Sequence, residues 1–158
     1  MQWQEVCEHP SFKNLPFKIE LNEYGKVLMT PVKVYHSAFQ GEIEFLLRSL
    51  LKTGKALPEC AIATSKGTKV ADVVWASDEV FAQIKNEIEC SIAPEICIEV
   101  ISLSNTKEEM QEKAQLYFEQ GAKEFWMCTK NGDMTFFNDK KEIKQSLLVP
   151  SFPHYIKL

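Results

Sequence analysis

The stretch Ile96-Cys97-Ile98-Glu99-Val100-Ile101-Ser102 limits the fold more than any other part of the chain. A run this dense in apolar and β-branched residues reads as a strand covered on both faces, which requires a sheet with layers on either side. A carboxylate stands in the middle of it. An ionised carboxylate moved out of water costs several kcal/mol unless it is neutralised, paired or bound to a metal, so Glu99 needs a partner. Immediately after the strand, Ser104-Asn105-Thr106 with Glu108 and Glu109 has the spacing of a helix start with a capping box. A helix is expected from about Thr106 to Gln120, stopped by Gly121, with Lys113 able to point back over the end of the strand.

The other elements follow from periodicity and turn chemistry. Residues 1–16, with Pro10 and Pro16, read as an irregular lead or partial helix. Phe17–Leu21 and Lys26–Pro31 read as a β-hairpin turning at Gly25. His36, Phe39, Ile43, Leu46, Leu47 and Leu50 recur at helical spacing, so an amphipathic helix is expected from about Val34 to Thr53, ending at Gly54. Pro58–Ser65 and Lys69–Ala76 form two strands joined at Lys66-Gly67-Thr68, and Asp78–Ile84 reads as a short surface helix. Lys123–Thr129 and Met134–Asn138 are strands around Asn131-Gly132-Asp133, and Ile143–Val149 is expected to add a last strand. This order gives one mixed α/β domain over residues 1–158.

Composition narrows the function. The net charge is −4, and 17 of the 18 basic residues are lysines, with Arg48 the sole arginine. Bidentate arginine readout of guanine is therefore nearly absent, which argues against sequence-specific recognition by this chain alone. The acidic balance also counts against nucleic acid, although a local groove with bound divalent cations offsets it. No run is long enough to span a membrane, and the first residues have neither a basic region nor an apolar core of a secretory signal. The five scattered cysteines, without a C-x-x-C pair, read as reduced, mostly buried thiols of a cytoplasmic protein.

Asp72 is the second anomaly. It lies in Val70-Ala71-Asp72-Val73-Val74-Trp75, a strand almost as apolar as the first, in a chain with only four aspartates. Taken singly, each carboxylate is explained by a half-exposed strand that turns it to solvent. Taken together, they suggest a shared cation. Hard carboxylate oxygens suit Mg²⁺ or Mn²⁺, held by one or two side chains plus waters and substrate phosphate oxygens. Lys113 is then placed to orient a water or neutralise charge developing on a phosphorus centre.

The pattern Glu20-Leu21, Gly25, Met29-Thr30-Pro31, His36, Asp72-Val73, Glu99 to Asn105, then Lys113, Tyr117, Gly121 and Glu124-Phe125-Trp126 resembles the Uma2 family. That family of endonucleases falls within the PD-(D/E)XK restriction endonuclease-like superfamily, and the resemblance spans about residues 17–138. It implies a restriction endonuclease-like α/β fold, a mixed sheet flanked by helices with an N-terminal β-hairpin. It also implies Mg²⁺- or Mn²⁺-dependent hydrolysis of DNA phosphodiester bonds, with a homodimer where both strands are cut. Asp72 matches the first metal-binding aspartate and Glu99 the acidic residue of the following strand. Glu20 matches an acidic residue beside the same site. Two positions beyond Glu99, where the superfamily has its lysine, stands Ile101, and Lys113 matches a lysine moved to the next helix. Ala71 and Leu103 replace prolines of the family pattern, exchanging restricted backbone for permissive backbone without removing a ligand.

Other candidates read more plainly. His36 is a packing or capping residue ahead of a base. Tyr117 is a core residue with its hydroxyl satisfied at the rim. Ser102 and Ser104 have no histidine–acid partner in the local sequence, which disfavours a serine hydrolase. Phe125 and Trp126 are packing residues before they are base-stacking platforms. Lys66, Lys69, Lys140, Lys141 and Lys144 are surface lysines and the best phosphate-contact candidates. Two other readings stay open: a catalytically silent member of the same fold that binds nucleic acid or protein, and an interaction module whose carboxylates only pair with lysines.

Overall fold

The computed structural model describes all residues 1–158. A short helix α1 (Trp3–Glu8) and a 3-10 turn lead into the hairpin β1 (Phe17–Leu21) and β2 (Val27–Pro31), a two-stranded sheet of its own. Gly25 at φ +73° closes its turn, and the Asn22 side chain accepts from the N–H groups of Tyr24 and Lys26. Then come α2 (Val34–Leu50), β3 (Lys55–Thr64), β4 (Gly67–Ala76), α3 (Asp78–Ile84), β5 (Ile96–Val100), α4 (Lys107–Glu119), β6 (Glu124–Cys128), β7 (Met134–Phe137) and β8 (Glu142–Ile143).

Strands β3 to β8 form one six-stranded sheet in sequence order, antiparallel throughout except for β5 and β6. That parallel pair is joined by α4 as its crossover. The sheet is covered on both sides, as the apolar strand demanded, and every residue of β5 is buried. Ile96, Ile98 and Val100 pack on one face with Phe39, Ile43 and Leu47 of α2 and with Trp126. Cys97 packs on the other with Met110 and Tyr117 of α4 and Ile84 of α3. α4 begins on a complete capping box, in which Thr106 accepts from the Glu109 N–H and Glu109 accepts from the Thr106 N–H. No helix is long and apolar enough to cross a membrane. Three of the five cysteines are buried and all are free thiols.

Two expectations are corrected. Helix α2 stops at Leu50, not Thr53, because Leu51 is already extended and Gly54 turns through φ +78° into β3. The strand expected over Ile143–Val149 is reduced to Glu142–Ile143. The cause is Glu124, a buried carboxylate that accepts from the N–H groups of Leu147 (2.7 Å) and Leu148 (3.1 Å), the Ser146 hydroxyl (2.7 Å) and Trp126 Nε1 (2.7 Å). Backbone donors that a ladder would use are taken by a side chain, and the segment coils around it.

Candidate active site

The β4–β5 ladder ends at Val73 opposite Ile98. The next opposed residues are Asp72 and Glu99, and there the strands part. Val100 gives its N–H to Asp72 Oδ2 at 2.8 Å instead of to the backbone of β4. Both carboxylates are buried, 1% and 3% exposed, in the gap between two strands of the same sheet.

Three further elements supply the countercharges. Hairpin β1–β2 packs against the first half of β4. The Glu20 carboxylate accepts the Val70 N–H at 2.7 Å, and Lys69 Nζ donates to the Leu21 carbonyl at 3.2 Å. Glycine at 67 is required for this approach, since a Cβ there would lie 2.3 Å from the Leu21 carbonyl oxygen. The hairpin carries Lys18, whose Nζ lies 3.1 Å from Asp72 Oδ1 and 3.2 Å from Glu99 Oε2. From α4, Lys113 Nζ lies 3.2 Å from Glu99 Oε1 and 2.9 Å from Glu20 Oε2. One turn further along the same helix, the Tyr117 hydroxyl donates to Glu99 Oε1 at 2.9 Å. From α2, His36 Nε2 lies 3.2 Å from Asp72 Oδ2. The result is an alternating chain, His36–Asp72–Lys18–Glu99–Lys113–Glu20, along one wall of a polar cleft.

The two central carboxyls are driven apart. Burial pushes Glu99 up to about 7, only partly countered by Lys113 and Lys18, and the nearby Asp72 charge adds to the rise. For Asp72, burial acts upward but is outweighed by the Lys18 charge and by the hydrogen bond and charge of His36, which hold it well below the usual carboxylate range. Glu20 is likewise lowered: burial opposes the shift, and Lys113, Lys18 and the Val70 N–H prevail. The hydrogen bond to Asp72 raises His36, against its partial burial. A pair of carboxyls split in this way can hold one negative charge and one exchangeable proton near neutral pH.

All four residues singled out in the sequence, Glu20, Asp72, Glu99 and Lys113, are brought together. Ile101 turns away from the cleft and packs beside Met110, Ala114 and Phe125. Lys18 was not anticipated, although period-two alternation puts it on the same face of β1 as Glu20. His36 belongs to the site more closely than its sequence context suggested, and Tyr117 is both core and hydrogen-bonded to Glu99. The Ser102 and Ser104 hydroxyls bond to each other and Ser102 also donates to Asn105 Oδ1, with no histidine engaged. Phe125 and Trp126 are core residues, 1% and 0% exposed. Lys69 lines an adjoining pocket that it shares with Glu20 and Lys113, whereas Lys66 pairs with Glu112 on the surface. Lys140, Lys141 and Lys144 lie at the β7–β8 edge, three strands from β5.

No three His, Cys, Asp or Glu side chains surround one point as a complete metal cage would. The donor chemistry nonetheless suits a hard divalent cation, because Asp72 Oδ1 and Glu99 Oε2 already converge on one positive charge, the Lys18 ammonium. Mg²⁺ sites commonly use one or two carboxylates and complete the shell with water and substrate phosphate.

A six-stranded mixed sheet covered by helices on both faces, with a two-stranded hairpin before it, gives a restriction endonuclease-like α/β fold. The chain belongs within it to the Uma2 family: the family profile, described as "Putative restriction endonuclease", matches residues 3–153. Among solved structures, one similar to this chain is a "putative nuclease belonging to DUF820" from Anabaena variabilis ATCC 29413. The two share a TM-score of 0.72 and 19% identity, over 90% of this chain and 82% of that one. No curated protein matches the sequence.

Proposed function

We propose that this chain is a cytoplasmic, metal-dependent endonuclease that hydrolyses phosphodiester bonds in DNA, with residues 1–158 as one catalytic domain. The observation that carries the reading is the reach of Lys113: with Ile101 at the strand position, the amine comes from α4 and still lies 3.2 Å from Glu99. Asp72 and Glu99 would hold Mg²⁺ or Mn²⁺. When bound, the cation would activate a water and offset charge on the phosphate oxygens. Lys113, anchored by Glu20, orients the attacking water and offers positive charge to the phosphorane. Tyr117 fixes Glu99, and His36 with the Val100 N–H fixes Asp72. One domain cuts one strand, so cleavage of both would use a homodimer or two visits.

Calorimetry with Mn²⁺ and a plasmid-nicking assay test this together. Wild type should bind Mn²⁺, and Asp72→Asn should abolish binding. Lys113→Ala should retain binding and lose nicking by about 10²-fold or more. Absence of Mn²⁺ binding both by wild type and by Lys18→Met, which lacks the competing ammonium, would exclude the nuclease reading. It would favour a catalytically silent member that binds nucleic acid or protein, the reading to which the bridging Lys18 and the net charge of −4 lend support.

A further inference from the structure

Of the two lysines in the site, only Lys18 touches both members of the acidic pair. Its ammonium is held at 3.1 Å from Asp72 and 3.2 Å from Glu99, while Lys113 contacts the other oxygen of Glu99 and never Asp72. Divalent cations of the Mg²⁺ class require oxygens at about 2.0–2.1 Å. An ammonium and such a cation cannot share the gap between Asp72 Oδ1 and Glu99 Oε2.

We propose that Lys18 is an exchangeable internal counter-ion: it keeps the acidic pair neutralised in the metal-free protein and must be displaced for a divalent cation to enter. This deepens the reading of the site as a metal centre and rests on it. The placement of Lys18 makes exchange feasible. It stands on the separate two-stranded sheet, so withdrawing its side chain gives up its bonds to Asp72 and Glu99 but no backbone ladder bond of the six-stranded sheet. Its stem is flexible, as lysine stems are. A second acceptor is at hand: Glu59, exposed in the same cleft, falls between the paired β3 residues Pro58 and Cys60, at the position level with Asp72 that the β3–β4 ladder skips. Glu59 is also one of only two non-glycine residues with positive φ, at +47°, so the β3 backbone departs from regular strand geometry beside the pair. Lys18 therefore sets the affinity and selectivity of the site: a weakly binding cation fails to displace it, and a small doubly charged one succeeds.

The experiment has two arms. In the first, Mn²⁺ is titrated calorimetrically into wild type, Lys18→Met and Asp72→Asn. Lys18→Met should bind about tenfold or more tightly than wild type, a difference of about 1.4 kcal/mol or more. In the second, wild type is exposed to an amine-acylating reagent with and without saturating Mn²⁺, and labelling is mapped by mass spectrometry against the exposed Lys140 as reference. Lys18 should be protected without metal and labelled several-fold faster with it, a readout that needs no variant to fold. Equal or weaker binding by Lys18→Met, or unchanged protection of Lys18 at saturating Mn²⁺, overturns the exchange while leaving the metal site standing if Asp72→Asn still abolishes binding. No binding by either protein overturns the metal site and the exchange together.

Discussion

Tyr117→Phe removes one oxygen from the floor of the site and leaves every carbon in place. The ring is 0% exposed, packed with Cys97 and Phe125, so neither a cavity nor a new solvent contact is created. What is lost is the 2.9 Å hydrogen bond to Glu99 Oε1. A hydrogen bond to an ionised acceptor contributes about 1.5–3 kcal/mol, and one between neutral groups about 0.5–1.5 kcal/mol. Which value applies depends on the proton of Glu99. Its native pKa, pushed to about 7 by burial, lies above the ordinary 4.5, so the fold favours the protonated form. The stability contributed by that proton is fully present below about pH 4.5 and is lost as pH rises through about 7. Loss of a donor to the ionised form raises the native pKa further, so the variant should suffer most on the alkaline side. We expect a loss of about 2 kcal/mol near pH 8 and about 1 kcal/mol near pH 5.5. The difference corresponds to an upward shift of Glu99 by a little under one unit, at about 1.4 kcal/mol per unit. Urea unfolding followed by tryptophan fluorescence at both pH values measures it. A loss below about 0.5 kcal/mol at both, or a larger loss at the acid pH, would refute the account of Glu99 as a buried acid held by this hydroxyl.

Two further outcomes are expected. Glu124→Gln should cost about 2–3 kcal/mol in urea unfolding, because an amide nitrogen replaces an oxygen that accepts two of four hydrogen bonds, yet Mn²⁺ affinity should not change. For Asp72, lowered by Lys18 and His36, the stabilisation is present above its ordinary value near 3.8 and is lost as pH falls below it. Thermal melts between about pH 2 and 5 should show this acid limb, flattened in Asp72→Asn; an unchanged limb would mean that Asp72 is not the stabilised carboxylate.

What was legible in the sequence was legible through conflict. A carboxylate amid β-branched residues violates the pattern of a buried strand, so Asp72 and Glu99 stood out, and with them the need for a cation. Lys18 violates nothing: a lysine in an edge hairpin is ordinary, and only its partners, 54 and 81 residues away, make it central. His36, in the first turn of α2, is hidden for the same reason. The C-terminal segment failed in the opposite way. Its apolar run resembles a strand, but Glu124 claims its backbone donors from more than 20 residues away, and local propensity has no knowledge of such a contact.

The position of Lys113 over Glu99 follows from topology. Strand β5 ends at Val100, and the Ile101 N–H continues toward β6 by donating to the Cys128 carbonyl at 2.8 Å. A lysine at 101 would have to leave the apolar cluster that Ile101 now fills between α4 and the sheet, and its loss would open a gap there. Helix α4 connects two parallel neighbours and therefore lies across the face that bears Cys97 and Glu99. Any residue on its underside one turn before Tyr117 projects toward Glu99 from above. The amine therefore reaches Glu99 Oε1 from the crossover helix, while position 101 serves the apolar cluster. This route also couples the lysine to Glu20 on the hairpin, so that sheet, crossover and hairpin meet at one carboxylate. In the plasmid-nicking assay, Ile101→Lys added to Lys113→Ala should therefore recover little over Lys113→Ala alone, since the hairpin anchor of the amine would be lost along with the apolar contact.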